Sequence, residues 1–280
     1  MTKNNDEFRF VSLLALELDN GDISLPSLPD VVLKIRQLLA DENTDFERLG
    51  RAISMDPVLV SKLFIYANSA FYNRANIKIE NLETAISRLG IEAVRNAAMS
   101  LAMQQLYSSE KHSHAGQYLR GVWARGMKIS SMAFAVSSGQ PGLNNETAFL
   151  CGLLNEVGKL YIITKAEEFP ELLGNKSSFN QVLEKWNSQI SKSIIESWGF
   201  PDEVAQSADP SSYVDQDTDT APTYADVLAV ARGLVDYGQD GSLDFEADPS
   251  CIKLRVTNDT VSGLMASYRD KLQSMQQSLS

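Results

Sequence analysis

The sequence predicts an all-α protein, and three observations support this. Apolar residues return at spacings of three and four, as in Val31, Ile35, Leu38 and Leu39, which places them on one face of a helix. Helix-start signals recur along the chain, and alternating strand patterns are rare. Residues 251–256 fit either a short strand or a helical turn. We predict helices near residues 6–18, 29–40, 45–54, 57–68, 82–89, 91–107, 115–138, 146–165, 179–198, 201–208, 223–237 and 258–278.

Capping residues justify several of these boundaries. Asp56 precedes Pro57, an N-cap acid ahead of a proline at the first helical position. Asn81 starts an apolar run that stops at Gly90. Capping boxes at 44–47 and 178–181 predict two further helix starts. The terminal helix is expected to bury one apolar face against the body of the chain or a dimer partner, and that face holds Val261, Leu264, Met265, Tyr268, Leu272 and Met275.

Composition excludes several classes of protein. The 280 residues suffice for one large or two modest domains, and a hydrophobic fraction of 44% is ordinary for a globular chain. No apolar run approaches the ~20 residues that cross a bilayer, so we expect no membrane partner. The first residues carry acids where a signal peptide carries bases, which predicts a cytoplasmic location. A net charge of -11 opposes nonspecific nucleic-acid binding.

Two helical lobes are predicted, one over residues 1–108 and one over 115–280, with the polar segment 108–114 between them. Residues 209–222 are rich in aspartate, and residues 238–250 are rich in glycine and aspartate. We expect both segments to be loops, and residues 209–222 to be exposed and mobile.

Soft-metal ligands are scarce in the sequence. The candidates are Cys151, Cys251, His112 and His114, and their spacing does not match a Cys/His zinc site. We expect both cysteines to be reduced, with Cys151 acting as a small hydrophobic residue. The pattern His112-x-His114 lies in a polar stretch and predicts a solvated loop.

Several separated motifs, in this order and spacing, resemble the HDOD domain, a bacterial, all-helical relative of the HD phosphohydrolases that is often linked to signalling. The resemblance covers roughly residues 20–210 and implies an HD-like helical bundle with an N-terminal helical lobe. The motifs are Leu25–Pro29, Ile53–Leu59, Ala67–Tyr72, Ala85–Gly90, Gly152–Lys159 and Trp198–Pro201.

The resemblance also implies that the metal-binding residues are replaced. Asn155–Glu156 stands where the His-Asp dyad is expected, Gly126 and Asn187 stand near two other histidine positions, and Pro210–Ser211 near the last. Asparagine offers no imidazole lone pair, and glycine offers no ligand at all. We therefore expect no metal and no cofactor, and a protein that is not an enzyme but a pseudoenzyme.

The favoured function is a noncatalytic signalling or regulatory module that contacts a signalling protein or a small ligand. The degenerate pocket, with Arg125, Gly126, Asn155, Glu156, Lys159 and Asn187, is a candidate site for an anion or a nucleotide. Alternatively, its polar groups only hydrogen-bond one another. Tyr66, Phe71 and Tyr72 form a candidate partner surface, and a homodimer is a further candidate assembly.

Two other functions remain open from the sequence. One is a metal-dependent phosphohydrolase or phosphodiesterase of the HD superfamily. The other is a nucleic-acid-binding regulator, because residues 82–107 resemble a helix-turn-helix. That segment offers only Arg88 and Arg95 as bases, so packing of two core helices is favoured.

Overall fold

A computed structural model of the chain describes residues 3–21, 23, 33, 37, 46–108, 114–240 and 243–279. All regular secondary structure in these ranges is helical, which confirms the predicted all-α class. In chain order the α-helices are α1 Lys3–Asn20, α2 Phe46–Ser54, α3 Pro57–Ala67, α4 Leu82–Leu89, α5 Ile91–Ser108, α6 His114–Ser137, α7 Asn145–Leu154, α8 Val157–Lys165, α9 Pro170–Gly174, α10 Lys176–Ser197, α11 Asp202–Ser207, α12 Pro210–Tyr213, α13 Tyr224–Asp240, α14 Pro249–Lys253 and α15 Asn258–Leu279.

The caps confirm most of the predicted boundaries. The Asp56 carboxylate accepts the N–H groups of Val58 and Leu59 at 2.9 and 3.0 Å. Asn81 caps α4, and Gly90 ends that helix with a φ of 79°. The prediction that Ser178 starts a helix is wrong, because Asn175 accepts the Ser178 N–H and α10 already begins at Lys176. Only residues 33 and 37 of the predicted helix 29–40 are described, both as helical, and the start of the box at 44–47 lies outside the described residues.

The predicted single helix 146–165 is wrong in one important respect, since it breaks at Asn155–Glu156 into α7 and α8. Glycines let both halves approach their neighbours closely. A Cβ at Gly152 would lie 2.5 Å from Ser130 Cα on α6, and a Cβ at Gly158 would lie 2.5 Å from the Asn187 carbonyl oxygen on α10. The ambiguous segment 251–256 proves to be helical at its start, where α14 ends at Lys253.

The chain divides into two compact units, which we describe separately. Residues 1–25 group with 107–264 in the first unit, and residues 26–106 group with 265–280 in the second. This division differs from the predicted lobes at both ends of the chain. Lys165 on α8 donates to Glu17 on α1 at 2.7 Å, and Gln104 donates to the Leu279 carbonyl at 3.1 Å, so each end segment is tied to distant sequence.

In the first unit, α6 packs against α7, α8 and α13, and α10 packs against α8. In the second unit, α2, α3 and α4 pack against one another. Among the described helices, none combines the length and the apolar character needed to cross a membrane.

Candidate functional site

The break between α7 and α8 is stabilised by side chains rather than by helical hydrogen bonds. The Asn155 carbonyl accepts Asn187 Nδ2 at 3.0 Å and Ser191 Oγ at 3.1 Å. Asn187 Oδ1 in turn accepts the Lys159 N–H at 3.1 Å. The Tyr107 hydroxyl donates to the Glu156 carbonyl at 3.1 Å. These hydrogen bonds satisfy backbone groups that have no helical partner at the break. Asn187 therefore stabilises the backbone at Asn155–Glu156.

The Glu156 carboxylate lies at the centre of a row of alternating charges. Its Oε1 accepts a hydrogen bond from the Arg125 guanidinium and another from Lys159 Nζ at 3.1 Å. Arg125 also donates to Asp236 at 2.6 Å, and Lys159 also donates to Glu184 at 2.6 Å. The Glu156 side chain is only 3% exposed, whereas those of Asp236 and Glu184 are 41% and 75% exposed.

Burial alone would lower the pKa of Arg125, but the charges on Glu156 and Asp236 outweigh that effect, so its pKa lies above the ordinary value. The guanidinium therefore stays charged throughout the accessible pH range, and Glu156 keeps its permanent counter-ion.

Asn155, the other half of the dyad position, faces a third cation. Its Oδ1 accepts Arg232 Nε at 3.0 Å and a terminal Arg232 nitrogen at 2.9 Å. Its Nδ2 donates back to the Gly152 carbonyl. Burial lowers the pKa of Arg232. Arg232 was not among the site residues predicted from the sequence. It is an arginine on the same face of the predicted helix as the apolar Ala225 and Leu228, and this position could have indicated a buried charge.

The structure thus brings together five of the six predicted pocket residues and leaves one apart. Gly126 contributes no side chain, its carbonyl accepts Ser130 Oγ at 2.7 Å, and no neighbouring atom lies within 4 Å of the place where its Cβ would stand. Pro210 opens α12, and Ser211 donates to nearby Asp209 at 2.7 Å.

The residues present do not fit a catalytic metal. Glu156 Oε1, Asn155 Oδ1 and Asn187 Oδ1 already accept hydrogen bonds, and Arg125, Lys159 and Arg232 would repel a divalent cation. Within the described part of the chain, no three His, Cys, Asp or Glu side chains are grouped to hold a metal ion. The side chains of His112 and His114 lie outside that part. Cys151 and Cys251 are buried thiols.

A cleft of about 800 Å³ opens beside the charged row. Two polar atoms of its lining residues, Glu156 Oε2 and the Tyr118 hydroxyl, are buried and have no hydrogen-bond partner among the described residues. Cationic groups from Arg125, Lys159 and Lys176 also line it. The cleft therefore offers positive charge together with unused hydrogen-bonding atoms, a combination suited to a small polar ligand.

Two residues of the predicted partner surface in the second unit, Phe71 and Tyr72, are half-buried. Tyr66 is fully buried. The rings of Tyr66, Phe71 and Tyr72 surround Lys271 Nζ, with centroids 5.6, 5.3 and 5.2 Å away. Tyr66 is therefore enclosed by its own chain, where a cation is attracted to the ring faces, and the role of Phe71 and Tyr72 in partner contact stays a prediction.

The all-helical architecture, with two helices that meet at the buried polar side chains of Asn155–Glu156, defines an HD-like helical module. The model of the HDOD domain family matches residues 25–211, and the chain belongs to this family. It is an HD-like module related to signalling.

Solved structures share the fold. A protein provisionally described as a metal-dependent phosphohydrolase from Shewanella amazonensis SB2B is 22% identical with a TM-score of 0.79, covering 97% of this chain and 99% of its own. A protein provisionally described as a signal transduction protein from Marinobacter aquaeolei VT8 is 21% identical with a TM-score of 0.65, covering 100% of this chain and 67% of its own.

One curated relative, an uncharacterized protein from Treponema pallidum (strain Nichols), is 25% identical over 164 residues. The match covers 57% of this chain but only 30% of that relative's length.

Proposed function

We propose that this chain is a noncatalytic signalling module in which internal cations stand in place of catalytic metal ions. The observation that carries the proposal is the shared Glu156 oxygen, which binds both Arg125 and Lys159. Positive charge at the dyad position is supplied by the protein itself, so the carboxylate is neutralised without a metal. The cluster contains no imidazole, and one unpartnered carboxylate oxygen, Glu156 Oε2, is too small a ligand set for a catalytic metal ion.

The module acts by binding, and the cleft beside Glu156 is the place where a small anionic ligand fits. Lys176 lines the cleft, is exposed, and forms no ion pair with any residue that the structure describes. Its charge is therefore available to a phosphate or carboxylate group. A signalling protein that covers the same cleft is the other mode of contact consistent with this family.

The first experiment is the metal content of the purified, untagged chain by elemental mass spectrometry, together with hydrolysis of bis-p-nitrophenyl phosphate. We expect transition metal far below one ion per chain and no hydrolysis above the buffer rate. Glu156→Gln is the matched control and should change neither result. About one transition metal ion per chain, with hydrolysis that a chelator abolishes, would contradict the proposal.

The phosphohydrolase alternative draws support from the Shewanella relative, which is described by that activity. The assay above decides it. The nucleic-acid alternative is tested by a mobility-shift titration of duplex DNA at physiological salt. A salt-sensitive shift at micromolar protein would support this alternative, and no shift would remove it.

A further inference from the structure

The buried ammonium of Lys159 is held by two carboxylates that differ in exposure. Its Nζ donates to Glu156 Oε1 at 3.1 Å and to Glu184 Oε1 at 2.6 Å. The Lys159 side chain is 7% exposed and that of Glu156 is equally buried, whereas that of Glu184 is mostly exposed. Lys159 therefore has one counter-ion inside the protein and a second one that reaches it from the surface.

Glu184 reaches Lys159 from the rim of the cleft beside Glu156. Lys159, Lys176 and Glu184 all line this cleft. Lys176, Asn180 and Glu184 follow one another at intervals of four residues along α10, so they lie on the same face of that helix. The Glu184 carboxylate thus binds Lys159 from the side on which an anionic ligand would also reach it.

The charges around Glu156 balance only when two exposed carboxylates are counted. Arg125 and Lys159 share the single buried carboxylate of Glu156, which neutralises one of the two cations. Asp236 supplies the missing charge for Arg125, and Glu184 supplies it for Lys159. Of these two carboxylates, Glu184 lines the cleft and is the one that an entering ligand meets. An anion that replaced Glu184 would keep the buried lysine paired.

The contact between Lys159 and Glu184 is suited to exchange. The Glu184 carboxylate is solvated when it turns away from the cleft, because its side chain is exposed, and such pairs contribute little to stability. The buried Lys159, in contrast, needs a replacement for the partner that it loses. Its ammonium has three N–H donors, and the described residues accept two of them. The pair is therefore closed in the free protein and open to exchange with a stronger anion.

A terminal phosphate is the ligand chemistry best able to displace Glu184. The tethered carboxylate has an effective concentration on the order of millimolar, so a dissolved carboxylate of the same charge competes poorly with it. A terminal phosphate carries a charge of about −1.5 to −2 at pH 7 and three strong acceptor oxygens. It can accept hydrogen bonds from Lys159 while its other oxygens face the part of the cleft that Lys176 lines.

We propose that Lys159 is the anion-binding residue of the cleft, and that Glu184 occupies its place until a terminal phosphate displaces it. Glu184 is then a tethered competitor that sets the ligand concentration to which the module responds. This inference rests on the ligand-binding mode of the function proposed above, and it adds the residue that regulates that site.

The test is a calorimetric titration of the full chain with pyrophosphate. Glu184→Gln removes the competing charge, and Lys159 keeps Glu156 as its counter-ion. Glu196→Gln is the matched control, because it removes the same charge from the same helix and breaks the ion pair with Lys192 at 2.8 Å. We expect Glu184→Gln to bind pyrophosphate about 10-fold more tightly than the wild type, and Glu196→Gln to bind it as the wild type does.

A second background separates displacement from charge repulsion. Lys159→Met removes the cation, so Glu184→Gln added to it should change pyrophosphate affinity by less than about 2-fold, or leave binding undetectable in both. An equal gain with and without Lys159 would overturn the proposal, because Glu184 would then act by repulsion alone. Wild-type affinity in Glu184→Gln would overturn it as well. Circular dichroism confirms that each variant folds.

A comparison of ligands gives the same decision if Lys159→Met fails to fold. Displacement of one competitor predicts that Glu184→Gln tightens pyrophosphate and phenyl phosphate by the same factor, whereas repulsion predicts a larger gain for the more highly charged pyrophosphate. Benzoate, a monoanion with the same ring, should bind the wild type at least about 10-fold more weakly than phenyl phosphate. Equal affinities for benzoate and phenyl phosphate would overturn the choice of a phosphate.

Failure of this inference and failure of the ligand-binding mode give different results. Pyrophosphate binding that Lys176→Ala weakens and Glu184→Gln leaves unchanged would overturn only the displacement of Glu184. No pyrophosphate binding in the wild type or in Glu184→Gln would overturn both.

Discussion

Two buried carboxylates in the first unit are held in opposite ways. Both oxygens of Asp226 have hydrogen-bond partners. Its Oδ1 accepts hydrogen bonds from Ser250 Oγ at 3.0 Å and Lys253 Nζ at 3.1 Å, and its Oδ2 accepts from both the N–H and the hydroxyl of Thr223. Only one oxygen of Glu156 has partners: Oε1 accepts hydrogen bonds from two cations, and Oε2 has no partner among the described residues.

This difference in hydrogen bonding indicates that the Asp226 pair contributes to stability and the Glu156 row to binding. A buried charge is retained at low cost when all its lone pairs are used, and at higher cost when some are not. The Asp226 pair is therefore a structural element. The Glu156 row lies beside a cleft that the exposed Lys176 also lines, which is the pattern expected of a binding site.

The largest effect is expected from Lys253→Met. Neither side chain of the Lys253–Asp226 pair is exposed, so the change strands a buried carboxylate. We expect the free energy of unfolding to fall by about 3–5 kcal/mol in urea titrations. Lys192→Met is the matched control, since its pair with Glu196 is partly exposed and should contribute less than about 1 kcal/mol. Equal losses of unfolding free energy in the two variants would mean that the buried Asp226–Lys253 pair stabilises the fold no more than a partly exposed pair.

Glu156→Gln should have a smaller effect on stability. Arg125 and Lys159 keep Asp236 and Glu184 as counter-ions after the change, so no cation is stranded. We expect a loss of about 1–2 kcal/mol, measured in the same titrations. A loss as large as that of Lys253→Met would break the comparison, because Glu156 would then be held as firmly as Asp226.

The pH dependence of stability at alkaline pH reports on the surroundings of Asp226 through Cys251, which lies two residues from Lys253. Burial and the nearby Asp248 raise the pKa of the Cys251 thiol from 9.0 to about 12. The unfolded thiol ionises first, so the contribution of Cys251 to stability is complete below pH 9 and is lost as the pH rises toward 12. The Cys251→Ala variant should lose less unfolding free energy than the wild type between pH 9 and 11. A parallel decline of both proteins would contradict this.

The smallest stability effect is expected from Lys176→Ala in the cleft. The side chain is exposed, so the change should alter stability by less than about 0.5 kcal/mol. Binding of pyrophosphate, followed by calorimetry, should nevertheless weaken several-fold. Lys185→Ala, another exposed lysine on α10, is the control and should leave binding unchanged. Unchanged pyrophosphate binding in Lys176→Ala would remove this residue from the site.

Local signals predicted much of the fold and about half of the site. Asp56, Asn81 and Gly90 cap helices because their chemistry acts over a few residues. The break at Asn155 was not predictable from its neighbours, since it depends on Asn187 and Ser191, more than 30 residues away. Arg232 was missed for the same reason: it lies 77 residues from the amide it contacts. The contact of Lys271 with Tyr72 was not predictable either, because 199 residues separate the two.

The discontinuous makeup of the second unit has a consequence for biosynthesis. Residues 26–106 emerge from the ribosome well before residues 265–280, which complete their unit. At translation rates of about 5–20 residues per second, the gap corresponds to roughly 8–30 s. During that interval the rings of Tyr66, Phe71 and Tyr72 lack their contact with Lys271. The second unit is therefore incomplete while most of the first unit is being synthesised, and it can reach its final form only after residues 265–280 have emerged.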